Sequence, residues 1–358
     1  MSKLNRYFRA LEQQERFSGA VWISQGEFCL FAGAYGYASR SWKVKNELDT
    51  RFDTASITKL FTAVAALQLV DSGLLSLNTR VVEYLDLRDT ALSPRVTLFH
   101  LLTHTSGIGD AAEEENGEQY EHLWKARPNY SVTCGADFLP QFVHKPANFP
   151  PGAGCRYCNC GYILVGLAIE KASGMEYRDY VRRNIFSRAG MADTDFLRMD
   201  QVNPRAAEGS DPIRGEQDKI IGWKKNIYSF PPAGLPDSGA YATVADLDRF
   251  LRAVRRGALL SPPMTEAFMT PQVDYRACQN WDKRYGLGLW FYVERNGRIV
   301  CCQKEGINAG VSAVIRYFPA EDISVTILSN MKSGAWNPIW DIHNLIVSDQ
   351  TDQNDPAE

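Results

Sequence analysis

Several features that mark other classes of protein are scarce in this sequence of 358 residues. Basic residues are not in excess, since 39 Lys and Arg stand against 42 Asp and Glu and give a formal charge of −3. We therefore expect no nucleic-acid partner, because binding a phosphate backbone needs a surplus of cations. The longest apolar run, around 61–70, is far shorter than the ~20 apolar residues of a membrane-spanning helix, so no membrane span is expected.

A secretory leader is missing as well, because the chain begins Met-Ser-Lys-Leu-Asn-Arg and no apolar segment follows. We therefore expect a cytoplasmic protein, with a periplasmic location as the alternative if a leader was removed. The eight cysteines are expected to be reduced thiols, since a chain of this length does not need disulfides to fold. Cys155, Cys158 and Cys160 offer three zinc ligands, but no neighbouring His or Cys completes a tetrahedral site. No metal and no cofactor is therefore expected.

Strand-like segments lie at both ends of the chain, and helical segments lie between them. A helix over 2–16 precedes a predicted hairpin of 18–24 and 28–39, and a helix over 244–255 precedes the second group of strands. That group consists of 289–294, 298–304, 311–318 and 323–329. This order predicts an α+β fold of the α/β sandwich type. One antiparallel sheet, built from both chain ends, would be flanked by helices and carry an inserted all-helical domain.

The domain boundaries follow from the same pattern. We predict that 1–52 and 236–348 form the sheet domain and that 53–235 form the inserted helical domain. The polar tail 349–358 is predicted to be disordered, because it holds too few apolar residues to pack.

The strongest predicted helix opens with a Ser-x-x-Lys motif formed by Ser56 and Lys59. Residues three apart share one helix face, so the amine of Lys59 can reach the hydroxyl of Ser56 and act as its base once its pKa is lowered. The structural alternative is a serine that caps the helix and a solvated lysine. The apolar stretch 60–67 favours a buried Lys59. The motif alone is weak, because Ser-x-x-Lys recurs over 329–332 at the end of a strand.

Two further motifs strengthen the catalytic interpretation. Tyr157 and Asn159 form the only Tyr-x-Asn in the sequence, between a Gly/Pro-rich loop and a helix. Lys304 and Gly306 form a Lys-x-Gly at the end of a strand, before a turn. Each also has a structural alternative, namely a loop tyrosine packed on a helix and a solvated lysine at a strand end.

Taken in order, Ser-x-x-Lys, Tyr-x-Asn and Lys-x-Gly resemble the serine acyl-transfer site of the β-lactamase and penicillin-binding-protein superfamily. Further blocks are similar to those of class C β-lactamases, D-alanyl-D-alanine carboxypeptidases and family VIII esterases: 52–56, 101–108, 158–162 and 190–194. The resemblance covers roughly 15–335. It implies an active site in the cleft between the inserted helical domain and the sheet.

The resemblance also implies a role for each motif residue. Ser56 would attack a carbonyl to give an acyl-enzyme that water then hydrolyses. Lys59 and Tyr157 would share the proton transfers, and which of them is the base stays open. Lys304 would supply positive potential that favours the anionic form of Tyr157.

The remaining implied roles concern substrate binding. Asn159 would hydrogen-bond the amide or ester of the substrate. The backbone N–H groups of Ser56 and of Ile307, the residue after Gly306, would form the oxyanion hole. His104, in the block 101–108, is expected to be structural rather than catalytic. No Gly-x-Ser-x-Gly elbow is present, which disfavours an α/β-hydrolase.

The substrate is less constrained than the chemistry. Glu305 stands between Lys304 and Gly306, where β-lactamases usually have a Thr or Ser that helps to bind a substrate carboxylate. A carboxylate there should repel anionic penicillins and peptide C-termini. We therefore favour a serine hydrolase of small esters or amides. The alternatives are a D-alanyl-D-alanine carboxypeptidase or class C-like β-lactamase, and a catalytically silent binding or sensor protein on the same fold. The sequence leaves the physiological substrate and the oligomeric state open.

Overall fold

The computed structural model describes the backbone of residues 3–353 and the side chains of residues 3–347. Its strands, in chain order, are β1 Gly19–Gln25, β2 Phe28–Tyr35, β3 Tyr37–Ser39, β4 Val44–Lys45, β5 Phe52–Asp53, β6 Ser210–Arg214, β7 Ile220–Lys225, β8 Tyr241–Ala242, β9 Val273–Ala277, β10 Asp282–Tyr285, β11 Trp290–Val293, β12 Ile299–Asn308, β13 Val311–Phe318 and β14 Ile323–Ser329. Eight of them form one antiparallel sheet in the order β2-β1-β14-β13-β12-β11-β10-β9. The predicted sheet built from both chain ends is therefore confirmed.

Helices pack on both faces of this sheet and also against one another in the inserted region. They are α1 Lys3–Gln13, α2 Thr58–Asp71, α3 Val81–Tyr84, α4 Leu98–Leu102, α5 Gly135–Phe138, α6 Asn159–Ser173, α7 Tyr177–Val181, α8 Ser187–Ala189, α9 Val244–Arg255, α10 Pro262–Phe268 and α11 Trp336–Gln353. Helix α9 packs against β1 and β14, and α2 packs against α6 in the inserted region. The arrangement is the predicted α/β sandwich with a largely helical insertion.

Two hydrophobic cores explain why the central strands are buried along their whole length. Side chains of β13 alternate between them: Ala313 and Ile315 face the core shared with α2, α6 and α9, whereas Val314 and Phe318 face the core shared with α1 and α11. A strand that is covered on both faces needs apolar residues at every position rather than at every second one. This is why 311–318 reads as a continuous apolar run.

The inserted region departs from the prediction at one point, because it contains the hairpin β6–β7 as well as helices. Strands β5 and β8 pair near the two ends of the insertion. The exact domain boundaries stay a prediction. At the C-terminus, α11 continues to Gln353, so the first part of the predicted disordered tail, 349–353, is helical, and 354–358 lie outside the described residues.

Three further findings concern the residues that the structure describes. None of the helices in 3–353 combines the length and the apolarity needed to cross a membrane. All eight cysteines are unpaired in this part of the chain, and their predicted reduced state stays a prediction. In the same part of the chain, no group of three or more His, Cys, Asp and Glu side chains is placed to hold a metal ion.

Candidate active site

Ser56 lies in a 3-10 turn, Ala55–Ile57, that leads directly into α2. Ala55 has a φ of +43°, in the left-handed region that residues with a Cβ rarely adopt. The carboxylate of Asp53 stabilises this turn, because its Oδ1 accepts a hydrogen bond of 2.7 Å from the Ala55 N–H. Burial raises the pKa of Asp53 to about 6. A strained turn with a dedicated partner therefore presents the serine to the cleft.

Strand β12 passes very close to this turn at Gly306. A Cβ at Gly306 would lie 2.2 Å from the carbonyl oxygen of Thr54 and 2.9 Å from the amide nitrogen of Ser56. Only glycine permits that approach. Strand β11 pairs with β12 no further than Gln303, so the edge of β12 beyond it is open, and Ser56 and Ile307 line the same cleft. The two residues that are predicted to supply the oxyanion donors therefore line one cleft, and their role stays a prediction.

Lys59 is fully buried one helical turn after Ser56. Its Nζ lies 3.0 Å from Ser56 Oγ, 2.7 Å from Asn159 Oδ1 and 2.7 Å from the backbone oxygen of Asp237. Burial lowers the pKa of Lys59, while the carboxylates of Asp237 and Glu114 oppose this lowering. The amine is therefore both placed beside the hydroxyl and biased toward its neutral, basic form.

Tyr157 donates a hydrogen bond of 2.8 Å to Ser56 Oγ. Burial raises the pKa of Tyr157 well above its usual value, and the carboxylate of Glu114 adds to the effect. The expected anionic form of Tyr157 is therefore not the one that this environment favours. Lys304 Nζ lies 4.8 Å from the centre of the Tyr157 ring, but its hydrogen bond, 3.1 Å long, goes to the hydroxyl of Tyr285.

Tyr285 is a site residue that the sequence did not reveal. Its hydroxyl lies 2.8 Å from His104 Nε2, and His104 Nδ1 accepts a hydrogen bond from the Cys158 N–H, so the ring proton is on Nε2. With two donors at its oxygen, Tyr285 directs its own proton to the Gly288 carbonyl, 3.3 Å away. Burial lowers the pKa of His104 well below its usual value, and the charges of Lys304 and of Lys59 act in the same direction. The only sequence signal for Tyr285 is the Gly-Leu-Gly turn that follows it.

The side-chain amide of Asn159 has a hydrogen-bond partner at each end. Its Oδ1 accepts from Lys59, and its Nδ2 donates to Glu114 Oε2 at 3.0 Å. Because Nδ2 carries a second N–H, Asn159 can also donate to a substrate carbonyl. The second Ser-x-x-Lys does not form a site, because Ser329 is buried and donates to the backbone of Ser18.

The cleft around these groups has a volume of about 280 Å³. Its charged lining residues are Glu114, Glu115, Asp237, Glu305, Lys283 and Lys304, and its aromatic ones are Tyr120, Tyr157, Tyr275 and Trp290. Asp237 is buried, and within the described part of the chain neither of its carboxylate oxygens has a hydrogen-bond partner. Burial raises the pKa of Asp237 to about 6. Glu305 stands at the cleft wall, as predicted, where its Oε2 accepts a hydrogen bond of 3.0 Å from Gln303.

Comparisons with known proteins agree with this geometry. The model of the Beta-lactamase family matches residues 4–343. Penicillin-binding protein 4* of Bacillus subtilis (strain 168) is 31% identical over 194 residues, which cover 53% of this chain but only 40% of that protein. Esterase EstB of Burkholderia gladioli is 29% identical over 283 residues, covering 71% of this chain and 70% of the esterase. The crystal structure of a penicillin binding protein from Bacillus halodurans superposes with a TM-score of 0.86 at 37% identity, covering 94% of this chain and 99% of the other.

Proposed function

The chain belongs to the Beta-lactamase family and is a serine hydrolase, and on that premise we propose that it forms an acyl-enzyme on Ser56 and hydrolyses small esters or amides. One observation carries the proposal: Ser56 Oγ lies within hydrogen-bond distance of both the Lys59 amine and the Tyr157 hydroxyl. A nucleophile between a base and a proton donor is the arrangement that acyl transfer requires.

In this proposal Lys59 is the base. Asn159 Oδ1 and the Asp237 carbonyl are acceptors only, so they engage two N–H bonds of the amine. In the neutral amine the lone pair then faces Ser56, and it takes the proton as Oγ attacks the substrate carbonyl. Tyr157, which is protonated at the start, gives its proton to the leaving group and takes in return the proton that Lys59 carries, so that both groups are neutral in the acyl-enzyme. The N–H groups of Ser56 and Ile307 would hold the oxyanion.

Hydrolysis of the acyl-enzyme reverses these transfers. A water molecule gives one proton to the neutral Lys59 amine while its oxygen attacks the acyl carbon. The bond from the carbonyl to Ser56 Oγ then breaks, and Oγ takes that proton from Lys59. No cofactor takes part in either half of this proposed reaction.

Glu305 supports the preference for substrates without a carboxylate near the scissile bond. Its side chain lines the cleft on the strand that also carries Lys304, and a negative charge there repels a substrate anion. Relatives named as penicillin-binding proteins keep a carboxypeptidase or β-lactamase activity as the second candidate. Location in the cytoplasm stays a prediction.

Substrate turnover and intact mass test the proposal together. We would incubate the protein with short-chain p-nitrophenyl esters, a chromogenic cephalosporin and a D-Ala-D-Ala peptide, and compare it with Ser56→Ala. The matched control is Ser333→Ala, because Ser333 is exposed and lies in a Lys-Ser-Gly that only resembles the third motif. We expect ester turnover and an acyl adduct that Ser56→Ala loses and Ser333→Ala keeps.

The other outcomes decide between the alternatives. Faster turnover of the cephalosporin or the peptide than of the esters would replace the esterase assignment by the second candidate. Absence of any Ser56-dependent turnover or adduct on the whole panel would support the silent binding protein instead.

A further inference from the structure

Arg316 is a buried arginine on β13 with only 1% of its surface exposed. Within the described part of the chain it forms no ion pair. Its Nε donates to Gln303 Oε1 at 2.7 Å, its guanidinium donates to the Ile339 carbonyl at 3.4 Å, and it lies 4.3 Å from the ring centre of Trp340. A buried charge without a carboxylate beside it is costly, so a more distant counter-charge is expected.

Gln303 links Arg316 to such a counter-charge. Gln303 and Arg316 are opposite each other in the β12–β13 ladder, and Glu305 is two residues further along β12, on the same face. The amide accepts from Arg316 through Oε1 and donates to Glu305 Oε2 through Nε2. Both neighbours require the same orientation of the amide, because a guanidinium only donates and a carboxylate only accepts.

We propose that Gln303 and Arg316 are positioning residues that hold the Glu305 carboxylate at the cleft wall and thereby set which substrate charge the site accepts. The inference rests on the proposed function and adds to it. It makes the exclusion of anionic substrates a property of three residues, two of which never touch the substrate. It also explains why a glutamate can persist at this position, since it is the relayed counter-charge of a buried arginine.

Two lysines also interact with the charge of Glu305: Lys304, next to it on β12, and Lys283, two strands away on β10. Lys283 on β10 lines the same cleft, and the charge of Glu305 raises its pKa against the lowering by burial. The hydroxyl of Tyr292 on β11 also accepts from Gln303 Nε2, at 3.3 Å. Glu305 therefore lies between Arg316 behind the wall and Lys283 in front of it. Without the bridge through Gln303, the carboxylate is free to turn toward Lys283, and the charge at the wall is neutralised.

The first test uses three p-nitrophenyl esters with acyl chains of equal length that end in a methyl, a carboxylate or a trimethylammonium group. The variant Gln303→Leu keeps the size of the side chain but cannot bridge, and Gln201→Leu on the exposed surface is the matched control. The preference is the ratio of kcat/KM for the methyl-ended ester to that for the carboxylate-ended ester. We expect Gln303→Leu to lower this ratio about tenfold, which corresponds to one hydrogen bond to a charged group. The change should fall on KM rather than on kcat. Arg316→Lys should keep the preference and Arg316→Met should lose it. An unaltered preference in both Gln303→Leu and Arg316→Met would overturn the inference.

The second test needs no turnover, so it separates this inference from the proposed function. Thermal unfolding is measured for Glu305→Thr, Arg316→Met and the double variant, as a double-mutant cycle. If Glu305 is the counter-charge of Arg316, Glu305→Thr lowers Tm. The double variant then loses less stability than the sum of the losses in the two single variants. Strictly additive losses would refute the relay even if the esterase activity is present. A strong coupling in a protein that hydrolyses none of the esters would instead count against the proposed function alone.

Discussion

Substitution of Gly306 by alanine provides a sharp test of how the sheet and the nucleophile turn fit together. The new Cβ would lie 2.2 Å from the Thr54 carbonyl oxygen and 2.9 Å from the Ser56 nitrogen, whereas an ordinary van der Waals contact is 3.4–4 Å. Both nearest atoms belong to the backbone, so no side chain can rotate away. Either β12 or the turn must move by about 1 Å, a displacement that costs roughly 10²-fold in rate when it separates reacting groups.

The same displacement should affect stability less than activity. Overpacking a fitted interior costs about 1–3 kcal/mol, and the end of β12 pairs only with β13, so this segment can shift without disrupting the rest of the sheet. Activity is more sensitive, because Ser56 and Ile307 must both point at one oxyanion. We therefore expect Gly306→Ala to fold and to lose about 10²-fold in kcat/KM, mostly in kcat.

The assay is steady-state hydrolysis of a p-nitrophenyl ester together with thermal unfolding. Gly222→Ala is the matched control: this glycine also lies in a strand, and an added Cβ would meet nothing closer than 3.6 Å. The control should keep its activity and stay within about 1 kcal/mol of the parent in stability. If Gly306→Ala keeps kcat/KM within about threefold of the parent, the close approach is not what positions the serine, and the reasoning is wrong.

Three further predictions follow from the hydrogen bonds and the pKa shifts. Tyr285→Phe removes the hydrogen-bond partner of Lys304, and it should lower kcat about tenfold and change the pH profile of kcat. A lower Tm with an unchanged pH profile would mean that Tyr285 only fills space. The rate should rise with pH as Lys59 loses its proton, and Asp237→Asn should move this rise to lower pH, because the Asp237 carboxylate opposes the lowering of the Lys59 pKa; a rise at the parent's pH contradicts the assignment of Lys59 as base. The pKa of Asp53 is about 6 in the folded state, above its unfolded value, so the folded state binds this proton more tightly. The contribution of Asp53 to the free energy of unfolding therefore decreases as the pH rises from about 4 to about 6. Asp53→Asn keeps the acceptor for Ala55 and should remove that part of the pH dependence in urea unfolding, and an unchanged slope would contradict it.

The parts of the fold that could be predicted are those in which one local pattern decides the structure. Strands 311–318 and 323–329 and the helix 244–255 have the predicted bounds, because each combines a clear apolar pattern with flanking turn or capping residues. Strand β10, by contrast, begins Asp-Lys-Arg and lies near the sheet edge, where charged side chains are tolerated and the apolar pattern is lost. It could be found only through its pairing with β11.

The candidate site divides in the same way. Motifs identified Ser56, Lys59 and Lys304, because helix and strand periodicity fix where those side chains point. The protonation state of Tyr157 was not predictable, since it depends on burial and on carboxylates that come from other parts of the chain. The role of Tyr285 was also hidden, because it arises only when β10 meets the loop that carries His104.

The two buried lysines of the site make a last prediction possible. The proposed reaction needs a neutral Lys59, which leaves Lys304 to carry the positive charge beside the Tyr157 ring. Burial lowers the pKa of Lys304 well below its usual value, and any charge on Lys59 lowers it further. Lys304 donates to the Tyr285 hydroxyl, which in turn contacts His104, and both of these groups are neutral. The Glu305 carboxylate is therefore what favours the charge on Lys304.

Glu305→Thr should therefore have two opposed effects. It admits substrates with a carboxylate, but it also shifts the shared positive charge from Lys304 toward Lys59 and reduces the reactive fraction of the enzyme. First, we expect a higher ratio of kcat/KM for the carboxylate ester to kcat/KM for the neutral ester. Second, we expect kcat/KM for the neutral ester to be lower than in the parent, and the alkaline limb of its pH profile to lie at lower pH. A changed ratio with an unmoved alkaline limb would show that Glu305 acts on the substrate alone. An unchanged ratio would show that its carboxylate is turned away from the substrate, and the Thr or Ser of related enzymes would then differ from it for reasons other than substrate charge.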